Sequence, residues 1–596
     1  MCPGTLVPIS DAMRPECGTL VPGGVAGMPS RCVKNTASTR PCTAYAARES
    51  IDNPHQAPNE GAVIVARVIT AAQAADLIKD GDTVGLSGFG MACVNEETLA
   101  SVEQRFLNTG APRNLTVVHA SAVGDRRTKG ISHWGHEGLI KRWIGGIAIA
   151  SPALAKLIQD DKCEAYNLPQ GVITQLYREI AAKRPGILTK IGTGTFVDPR
   201  VEGARMSPCS VEDIVQVVEL AGEEWLFYPS FPINVGLIRG TVADEHGNLT
   251  LQKEGLHMEV LPIAQAAHNC GGIVIAQVES LAQAGSLDPN DVKVPGVLVD
   301  YIVVSEPANH FQTENTHYNP SYSGQVRVPI SGVVPIPLNA RKVIARRCAM
   351  ELVPHTILNL GVGIPADVGS VVAEEGISDD VVMTTEAGAI GGVPAGLKDF
   401  GHAYNPEALV DMHAQFDFYD GGGLDLCVLG LAQTDSQGNV NVSKFGGRVA
   451  GAGGFINISQ SAKKLIFAGT FTAGGLDVEV ASGELHIRTE GRTRKFLDHV
   501  EQITFSGQYA TGTRQTVLYV TERAVFELLD GEMTLIEIAP GVDLQTDVLD
   551  RMDFAPRVSH DLTLMTAGLF RETWGELAAQ IHSPRLAKTP ALAGKA

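Results

Sequence analysis

The sequence lacks long apolar runs and an excess of positive charge, and each absence excludes a class of protein. No uninterrupted apolar stretch approaches the ~18 residues of a membrane-spanning helix, although hydrophobic residues make up 44% of the 596-residue chain. The formal net charge is -19, whereas general binding to nucleic acid or to an anionic membrane requires a basic face. We therefore expect no nucleic-acid partner and no membrane association.

Paired cysteines are also missing, although the chain holds ten cysteines. Neither a CxxC nor an HExxH motif occurs, and the cysteines after residue 50 are widely spaced. A disulfide framework or a zinc site therefore has no support. We expect reduced, buried thiols in a cytoplasmic protein that needs no metal.

The two ends of the chain differ in composition from the rest. Residues 1–60 are rich in Pro, Gly, Ser and Thr, and the pentapeptide Gly-Thr-Leu-Val-Pro occurs there twice. This composition predicts a disordered extension, or a start codon that was assigned too early. The polar tail 583–596 is predicted to be frayed.

From about Val63 onward, short apolar segments alternate with glycine turns and helical patterns. Thr83–Gly90 is predicted to be a strand that runs into a glycine turn, and Asn114–His119 is the next predicted strand after a helix. Alternation of this kind is typical of an α/β fold with a mainly parallel sheet and right-handed crossovers.

The pattern then repeats within the chain. Thr241–Leu251 and Gln433–Val442 are predicted hairpins that share an Asp-x-x-Gly-Asn turn, and His355–Gly363 parallels Asp82–Gly90. A repeat on this scale predicts two homologous α/β lobes.

We place the first lobe at 61–308 and the second at 339–582, with 309–338 as a linker that crosses the surface. The first lobe is longer between its opening strand and its hairpin, which indicates an insertion. Loop-like segments between Gly124 and Gly222 are its expected location.

Glu386 is the first candidate for chemistry. It ends the predicted strand Val381–Thr385 and is followed by small residues up to Gly392. A carboxylate in this position can be approached by a bulky ligand, which favours a nucleophile. Glutamates beside glycine turns are more often solvated surface residues, so the hypothesis needs support from other segments.

A second segment, Gly361–Ala366, follows a predicted strand and opens a helix. Its glycines leave backbone N–H groups available to an anion. With Glu386 about twenty residues later, the segment also fits the dinucleotide-binding fingerprint. In that alternative the protein is an NAD-dependent oxidoreductase and Glu386 binds a ribose hydroxyl, although Pro365 removes one donor from the loop.

Three further turns complete the candidate site. Gly451–Gly454 is another turn with a bare backbone, Lys444 supplies a cation in a flexible loop, and Gln170 presents an amide where a helix begins. Each of these is more commonly an ordinary turn. Together they predict a glycine-lined cleft that suits a long, thin ligand with phosphates.

Several longer motifs carry a family resemblance. They are Thr-Glu-Ala-Gly-x-Ile-Gly-Gly at Thr385, Asn-Leu-Gly-Val-Gly at Asn359, Gln-Phe-Asp-Phe-Tyr-x-Gly-Gly-Gly at Gln415, Gly-Asn-Val-Asn-Val-Ser-Lys-Phe at Gly438, Gly-Gly-Phe-Ile-Asn-Ile at Gly453 and Leu-Pro-Gln-Gly-Val at Leu168. From about Val63 to about Arg571 the chain resembles family I coenzyme A transferases. It is most similar to the propionate and acetate type, in which both half-enzymes are fused.

The resemblance implies roles for particular residues. Glu386 would become a glutamyl-CoA thioester, and Gln170 would bind the reacting carbonyl oxygen. The residues expected to hold CoA or substrate are Gly361, Val362, Gly363, Ile364, Pro365, Gly388, Gly451, Gly453, Gly454 and Lys444. The first lobe has Ala120-Ser121-Ala122 where the second has its glutamate, so one active site per chain is expected at the lobe interface.

The implied function is transfer of CoA from a short-chain acyl-CoA, of the acetyl or propionyl type, to a free carboxylic acid with ping-pong kinetics. CoA is then a substrate, and no cofactor is needed. Two further alternatives are an acyl-CoA hydrolase on the same fold and a pure CoA-binding module. Because Glu386 must be ionised to attack, a polar environment is predicted around it. The family also implies a homo-oligomer.

Overall fold

The computed structural model describes residues 66–329 and 335–582. The predictions for residues 1–60 and 583–596 therefore lie outside the described residues. The structure has two lobes, each built around one large sheet.

The elements of the first lobe alternate between strands and helices in the order that the sequence predicts. The strands are β1 (Arg67–Val68), β2 (Thr83–Leu86), β3 (Leu115–His119), β4 (Ile140–Gly145), β5 (Glu164–Asn167), β6 (Gly186–Thr189), β7 (Gln216–Leu220), β8 (Glu223–Pro229), β9 (Val235–Arg239), β10 (Val242–Asp244), β11 (Leu249–Thr250), β12 (Ile273–Val278), β13 (Ser280–Ala282), β14 (Val292–Val294) and β15 (Tyr301–Val304). The helices are α1 (Ala71–Leu77), α2 (Glu96–Thr109), α3 (Pro152–Gln159), α4 (Gln170–Ala181) and α5 (Val260–Asn269).

The second lobe repeats the alternation and ends in a longer antiparallel region. Its strands are β16 (Thr356–Leu360), β17 (Val381–Thr384), β18 (Ala389–Ile390), β19 (Val393–Pro394), β20 (Ala403–Tyr404), β21 (Ala408–Leu409), β22 (Leu426–Gly430), β23 (Gln433–Thr434), β24 (Val440–Asn441), β25 (Lys444–Phe445), β26 (Arg448–Val449), β27 (Lys464–Ala468), β28 (Thr472–Ala473), β29 (Asp477–Ala481), β30 (Glu484–Thr489), β31 (Thr493–Arg494), β32 (Thr516–Val520), β33 (Ala524–Leu529), β34 (Glu532–Ile538) and β35 (Arg557–Leu564). Its helices are α6 (Ala340–Ala349), α7 (Asp367–Glu374), α8 (Met412–Asp420), α9 (Phe455–Ser461), α10 (Gly507–Thr513) and α11 (Leu577–His582).

The sheet of the first lobe has the order β1-β15-β12-β9-β2-β3-β4-β5. All of its neighbouring strands pair in parallel. The chain moves from β2 to β3 on one side and returns to β9 on the other. This reversal places the ends of β2 and β9 at a topological switch point, where ligands bind in open α/β sheets.

The sheet of the second lobe has the order β21-β18-β17-β16-β22-β27-β32-β33-β34-β35. Its five central strands, from β17 to β32, are parallel. Strands β18, β21, β33 and β34 pair antiparallel at the flanks. The predicted α/β class with mainly parallel sheets is confirmed.

The two lobes share one topology. Strand β16 lies between β17 and β22 in the same way that β2 lies between β3 and β9. In the hairpin of each lobe an aspartate accepts the N–H groups two and four residues later, from His246 and Asn248 in one and from Gln437 and Asn439 in the other. The predicted homology of the lobes is thus reproduced down to single hydrogen bonds.

The insertion in the first lobe is more regular than expected. Between β3 and β9 the chain forms strands β4 to β8 and helices α3 and α4. The expectation of loop-like segments is wrong for these stretches, because consecutive apolar residues such as Trp143–Ile144 and Ala165–Tyr166 build two more buried strands of the parallel sheet. Residues 190–215, between β6 and β7, contain no helix or strand, as expected.

The described part of the segment between the lobes lies mostly at the surface, as expected, but several of its side chains are anchored to the lobes. The carboxylate of Asp399 accepts hydrogen bonds from the hydroxyl groups of Thr313, Thr316 and Tyr322. Tyr322 is buried. These contacts fix the segment beside the loop after β19.

The hydrophobic core continues from one lobe into the other. A single cluster of buried side chains includes Val84 and Ile173 of the first lobe together with Phe416 and Ile456 of the second. A further cluster lies within the second lobe between its sheet and α6 and α7. Burial of shared apolar surface therefore stabilises the lobe interface as well as each lobe.

Candidate active site

The candidate nucleophile and the first glycine loop lie at the same sheet edge. Strands β16 and β17 are parallel, with Asn359 opposite Thr384 in the register. The segment 361–365 leaves the carboxyl end of β16, and Thr385 and Glu386 leave the carboxyl end of β17. Parallel strands bring these ends together, as the sequence predicts.

A tight turn holds Glu386 between β17 and β18. The N–H of Thr385 donates to the carbonyl of Ala389 at 2.9 Å, and the N–H of Gly388 donates to the carbonyl of Thr385 at 3.1 Å. Gly388 has a φ of +110°, and a Cβ there would lie 2.1 Å from the carbonyl oxygen of Val410. Gly388, predicted to bind substrate, is thus required for the close approach of a neighbouring backbone.

The first lobe reaches this turn through an aromatic contact. The rings of Phe89, from the glycine turn after β2, and Phe400 have centroids 6.0 Å apart. Gly401 lies against Phe89, and its carbonyl accepts the hydroxyl hydrogen of Thr385 at 2.8 Å. The residue before Glu386 is therefore anchored at the boundary of the two lobes.

The carboxyl group of Glu386 is poorly solvated. Its side chain is partly exposed, but burial by the surrounding protein raises its pKa to about 7, and the backbone N–H of Glu386 and the amide of Asn359 offset part of this effect. The predicted polar environment is wrong, because desolvation outweighs the hydrogen bonds.

A cavity of about 580 Å³ opens beside the loop that follows β16. The residues that line it are Val328, Pro329, Arg341, Leu360, Val362, Gly363, Ala366, Asp367, Gly369, Ser370, Val393, Pro394, Gly396, Phe400 and Tyr404. Most of this lining is apolar, and Arg341 is paired with Asp367 at 2.7 Å. The cavity has the size and character of a site for an elongated small molecule.

The five predicted loop residues divide into two groups. Val362 and Gly363 line the cavity, and Val362 is exposed. Gly361, Ile364 and Pro365 do not line it. The N–H of Gly361 donates to the carbonyl of Val428 at 2.9 Å, so that group is not the bare donor that the glycine pattern indicated. Lys444, partly buried on β25, is likewise absent from the cavity lining.

The Gly451–Gly454 turn contacts the first lobe. The N–H of Gly453 donates to the carbonyl of Gly146 at 2.8 Å, and the N–H of Ala452 donates to Oδ1 of Asn167 at 2.8 Å. The N–H of Gly451 donates to the carbonyl of Ser443 at 3.0 Å. The expectation of a bare backbone is wrong for these three groups, because acceptors within the protein already satisfy them.

Gln170 joins the second lobe at the same turn. It is the first residue of α4, it is buried, and its N–H donates to the carbonyl of Gly453 at 2.9 Å. Its side-chain Nε2 lies 3.1 Å from Sδ of Met412, a weak acceptor at the start of α8. Its Oε1 has no hydrogen-bond partner among the described residues. The amide is therefore free to exchange a weak partner for a stronger one.

Known proteins share both the sequence and the fold. The coenzyme A transferase family model matches residues 68–305. Caffeate CoA-transferase of Acetobacterium woodii is 52% identical over 519 residues, which cover 86% of this chain and 99% of the relative. The chain belongs to the coenzyme A transferase family. Acetate CoA-transferase YdiF of Escherichia coli (strain K12) is 43% identical over 504 residues, which cover 84% of this chain and 95% of the relative.

Solved structures agree with the family assignment. The transferase matches the crystal structure of acyl-CoA transferase (YdiF) apoenzyme from Escherichia coli O157:H7 with a TM-score of 0.82 at 41% identity, covering 86% of this chain and 97% of that chain. The match to the thioester complex of that protein with CoA has a TM-score of 0.81 at 42% identity, with the same coverage. These matches contradict the alternatives of an NAD-dependent oxidoreductase and a pure binding module.

The structure adds side chains that motif reading of the transferase missed. The buried amide of Asn359 donates to the carbonyl of Thr384 at 3.3 Å, two residues before Glu386, although the sequence marked Asn359 only as the first residue of a glycine motif. In the motif that begins at Gln415, Phe416 and Tyr419 are buried, whereas Phe418 is 41% exposed. The sequence did offer one signal for Asn359, because it is a polar residue near the end of a predicted strand and just before a glycine turn.

The corresponding position of the first lobe carries no acid. After β3 the chain continues with Ala120, Ser121 and Ala122, as expected. His119 at the end of β3 accepts a hydrogen bond from Nε1 of Trp143 at 2.7 Å, and burial lowers the pKa of His119 to about 4. The neutral imidazole is a structural group of the transferase's first sheet.

Within residues 66–329 and 335–582, no group of three or more His, Cys, Asp and Glu side chains is arranged to hold a metal ion. None of the helices in the same part combines the length and hydropathy that a bilayer span requires. CoA is a substrate of the family. That no cofactor takes part stays a prediction.

Proposed function

We propose that this transferase moves CoA from a short-chain acyl-CoA to a free carboxylate through a thioester on Glu386. The observation that carries the proposal is the placement of Glu386. It is a carboxylate at the carboxyl end of a central parallel strand, on a turn of small residues, beside the loop that lines the 580 Å³ cavity. Acetyl and propionyl groups are the proposed acyl class.

The reaction proceeds in steps that conserve the thioester bond. An oxygen of Glu386 attacks the acyl carbonyl carbon, the C–S bond breaks, and CoA thiolate leaves an acyl-glutamyl anhydride. The thiolate then attacks the glutamyl carbonyl carbon and releases the first carboxylate. A second carboxylate reverses both steps and departs as its CoA ester, so no net proton is consumed.

The protein assists this weak nucleophile in two ways. Gln170 moves its N–H from the sulfur of Met412 to the oxyanion of the reacting carbonyl, and one such donor contributes roughly 3–4 kcal/mol. The apolar cavity binds the remote pantetheine arm of CoA, and half-exposed Arg341 offers a cation to the phosphates. Remote binding of this kind positions the thioester for attack.

The proposal predicts that Glu386→Gln abolishes transfer. We expect a loss on the order of 10³-fold or more in kcat for acetyl-CoA with propionate as acceptor, because the nucleophile is gone. Wild type should give parallel double-reciprocal lines. The matched control is Glu484→Gln, at a half-exposed carboxylate of the same lobe.

Running propionate and caffeate as acceptors for acetyl-CoA, beside a reaction without acceptor, separates the acyl classes from hydrolysis. The rate for wild type should rise with pH through about 7, because only the ionised carboxyl attacks. Intersecting lines, or a Glu386→Gln variant as active as Glu484→Gln, contradict the proposal. The cytoplasmic location and the homo-oligomer stay predictions.

A further inference from the structure

Apart from Arg341, the residues that line the cavity of about 580 Å³ form three walls. The first wall is the loop after β16 together with α7, and the second is the antiparallel pair β19 and β20 with the loop between these strands. The third wall consists of Val328 and Pro329, which belong to the segment between the lobes. We call these two residues the linker wall. A segment that only connected the lobes would have no reason to line a cavity.

One side chain holds the linker wall in place. Oδ1 of Asn405 accepts the N–H of Val328 at 2.8 Å, and Nδ2 of Asn405 donates to the carbonyl of Val328, also at 2.8 Å. The amide thus pairs with Val328 as a residue of a neighbouring antiparallel strand would. Residues 327–329 make no other hydrogen bond to the described part of the chain. The position of the linker wall therefore depends on Asn405.

Asn405 is itself fixed between the cavity and the segment that joins the lobes. It is buried, it follows Tyr404 of the second wall, and its N–H donates to the carbonyl of Ser321 at 3.2 Å. Its φ is +53°, in the left-handed region that asparagine adopts more readily than most residues. The ring of Tyr404 packs against that of Tyr322 with centroids 4.9 Å apart. Asn405 therefore connects the second wall rigidly to the linker wall.

The linker wall presents apolar surface to the cavity. Val328 is 37% exposed, and Val362 of the first wall is 55% exposed. Apolar side chains that are open to solvent lose contact with water when a ligand covers them, which favours binding. The two valines belong to different walls, so an elongated ligand that covers both spans the cavity. The pantetheine arm of CoA is a long chain of this kind.

We infer that the segment between the lobes is part of the CoA site, where Asn405 holds Val328 and Pro329 against the pantetheine arm. The inference deepens the proposed function and rests on it, because it requires CoA to occupy the cavity. Asn405 acts through the linker wall, so it is a positioning residue. Its loss should weaken the binding of CoA in the ground state and in the transition state alike, and the chemical step should keep its rate.

The test replaces two left-handed asparagines with glycine. Asn405→Gly removes the amide and leaves a residue that adopts the left-handed φ readily. Asn114→Gly is the matched control, because Asn114 has a φ of +60° and is exposed in the first lobe, outside the cavity lining. Titration calorimetry with CoA should give a Kd about 10-fold higher for Asn405→Gly and a wild-type Kd for Asn114→Gly. Equal Kd values for the two variants would overturn the inference.

Steady-state kinetics separate positioning from general damage. Asn405→Gly should raise the KM for acetyl-CoA and leave kcat within about twofold of wild type, because it removes uniform binding. The KM for propionate should not change, because CoA is already attached to the protein when propionate enters in the proposed mechanism. A lower kcat with unchanged KM for acetyl-CoA and unchanged Kd for CoA would contradict the assigned role.

A second pair of variants trims the linker wall and leaves Asn405 in place, which decides the matter if Asn405→Gly does not fold. Val328→Ala shortens a side chain that lines the cavity. Val326→Ala is its control, since Val326 is 44% exposed two residues earlier and does not line the cavity. We expect Val328→Ala to weaken CoA binding about 3-fold to 10-fold, because it removes apolar surface that the ligand covers. Equal affinities of this pair for CoA would rule out the linker wall as part of the site.

The inference and the proposed function can fail separately, because CoA binding is measured without turnover. Wild type that binds no CoA in the calorimeter overturns the inference. Weakened binding of CoA by Asn405→Gly supports the linker wall even if acetyl-CoA leaves no adduct on Glu386 of wild type, a result that overturns the glutamyl mechanism alone.

Discussion

The side chain of Glu386 combines partial solvent access with surroundings that disfavour its charge. Burial raises its pKa from an ordinary value of 4.5 to about 7. A desolvated carboxylate is a stronger nucleophile toward a carbonyl carbon than a hydrated one, because less water must be removed as charge leaves it. The same surroundings make the ionised form costly to the fold, so reactivity is gained against stability.

This cost predicts how stability depends on pH. The folded-state pKa lies above the unfolded-state value, so the penalty begins above pH 4.5 and is complete above about pH 7. We expect Glu386→Gln to raise Tm at pH 8 by about 1–3 °C, with a smaller difference at pH 5. Scanning calorimetry measures both values.

Glu484→Gln is the control, since its half-exposed carboxylate should leave Tm unchanged at either pH. A Glu386→Gln protein that melts below wild type at pH 8 would show that the carboxylate stabilises the fold. The account of its desolvation would then be wrong.

At the scale of single residues, the sequence predicted Glu386 from the small residues that follow it. It did not predict the pKa, which depends on how much of the surrounding protein covers the carboxyl. The hydrogen bond between Asn359 and Tyr419 could not be predicted either, because 60 residues separate them and only the folded chain brings α8 beside β16.

Among the elements, the turn at 451–454 is one of those that join the lobes. Its N–H groups bond to Gly146 and Asn167 of the first lobe, and Asn457 of α9 accepts the N–H of Gly171 at 3.1 Å. These partners are up to 286 residues apart in the chain. The sequence of a glycine-rich turn suggests unpaired backbone N–H groups, because the oxygen atoms that accept their hydrogen bonds lie in the other lobe.

A pair of glycines tests the importance of this contact. Gly451 and Gly363 have nearly equal φ values of +90° and +89°. Because both φ values are left-handed, an alanine at either position destabilises the fold by a similar amount, about 1–2 kcal/mol. A Cβ on Gly451 would lie 2.6 Å from the carbonyl oxygen of Gly146, whereas Gly363 has open space around it. We expect Gly451→Ala to lower Tm at least about twice as much as Gly363→Ala, because its extra cost is backbone overlap.

The measurement is Tm by calorimetry at one pH, with wild type alongside. Equal losses for the two variants would mean that the turn tolerates separation from the first lobe.

The predicted hairpins, unlike this turn, could be recognised from the sequence. Their Asp-x-x-Gly-Asn turns form by local bonds, such as Asp435 Oδ1 with the N–H of Asn439 at 3.0 Å, so sequence alone was enough to place them.

Over the whole molecule, the sequence predicted two homologous lobes because each lobe repeats a strand, turn and helix pattern with its own hairpin. Residue periodicity could not predict that β4 and β5 extend the first sheet or that β33 to β35 extend the second. Those strands join the sheets through long-range pairing. The packing of the segment around Tyr322 was likewise hidden, since it depends on Asp399 in the other lobe.

The two-lobe arrangement explains why the candidate chemistry needs both halves. Glu386 and the cavity belong to the second lobe, and Gln170 and Phe89 come from the first. Helix α8 links them, because Met412 contacts Gln170 and Tyr419 contacts Asn359. Fusion of both lobes in one chain therefore supplies the nucleophile and the proposed oxyanion donor in equal number.

The measurement that tests the central claim most directly is the intact mass of the protein after incubation with acetyl-CoA and no acceptor. The account predicts a gain of one CoA less one water, located on Glu386 by peptide mapping and removed by hydroxylamine. An unchanged mass in a preparation that turns over, or an adduct on a different residue, would contradict it.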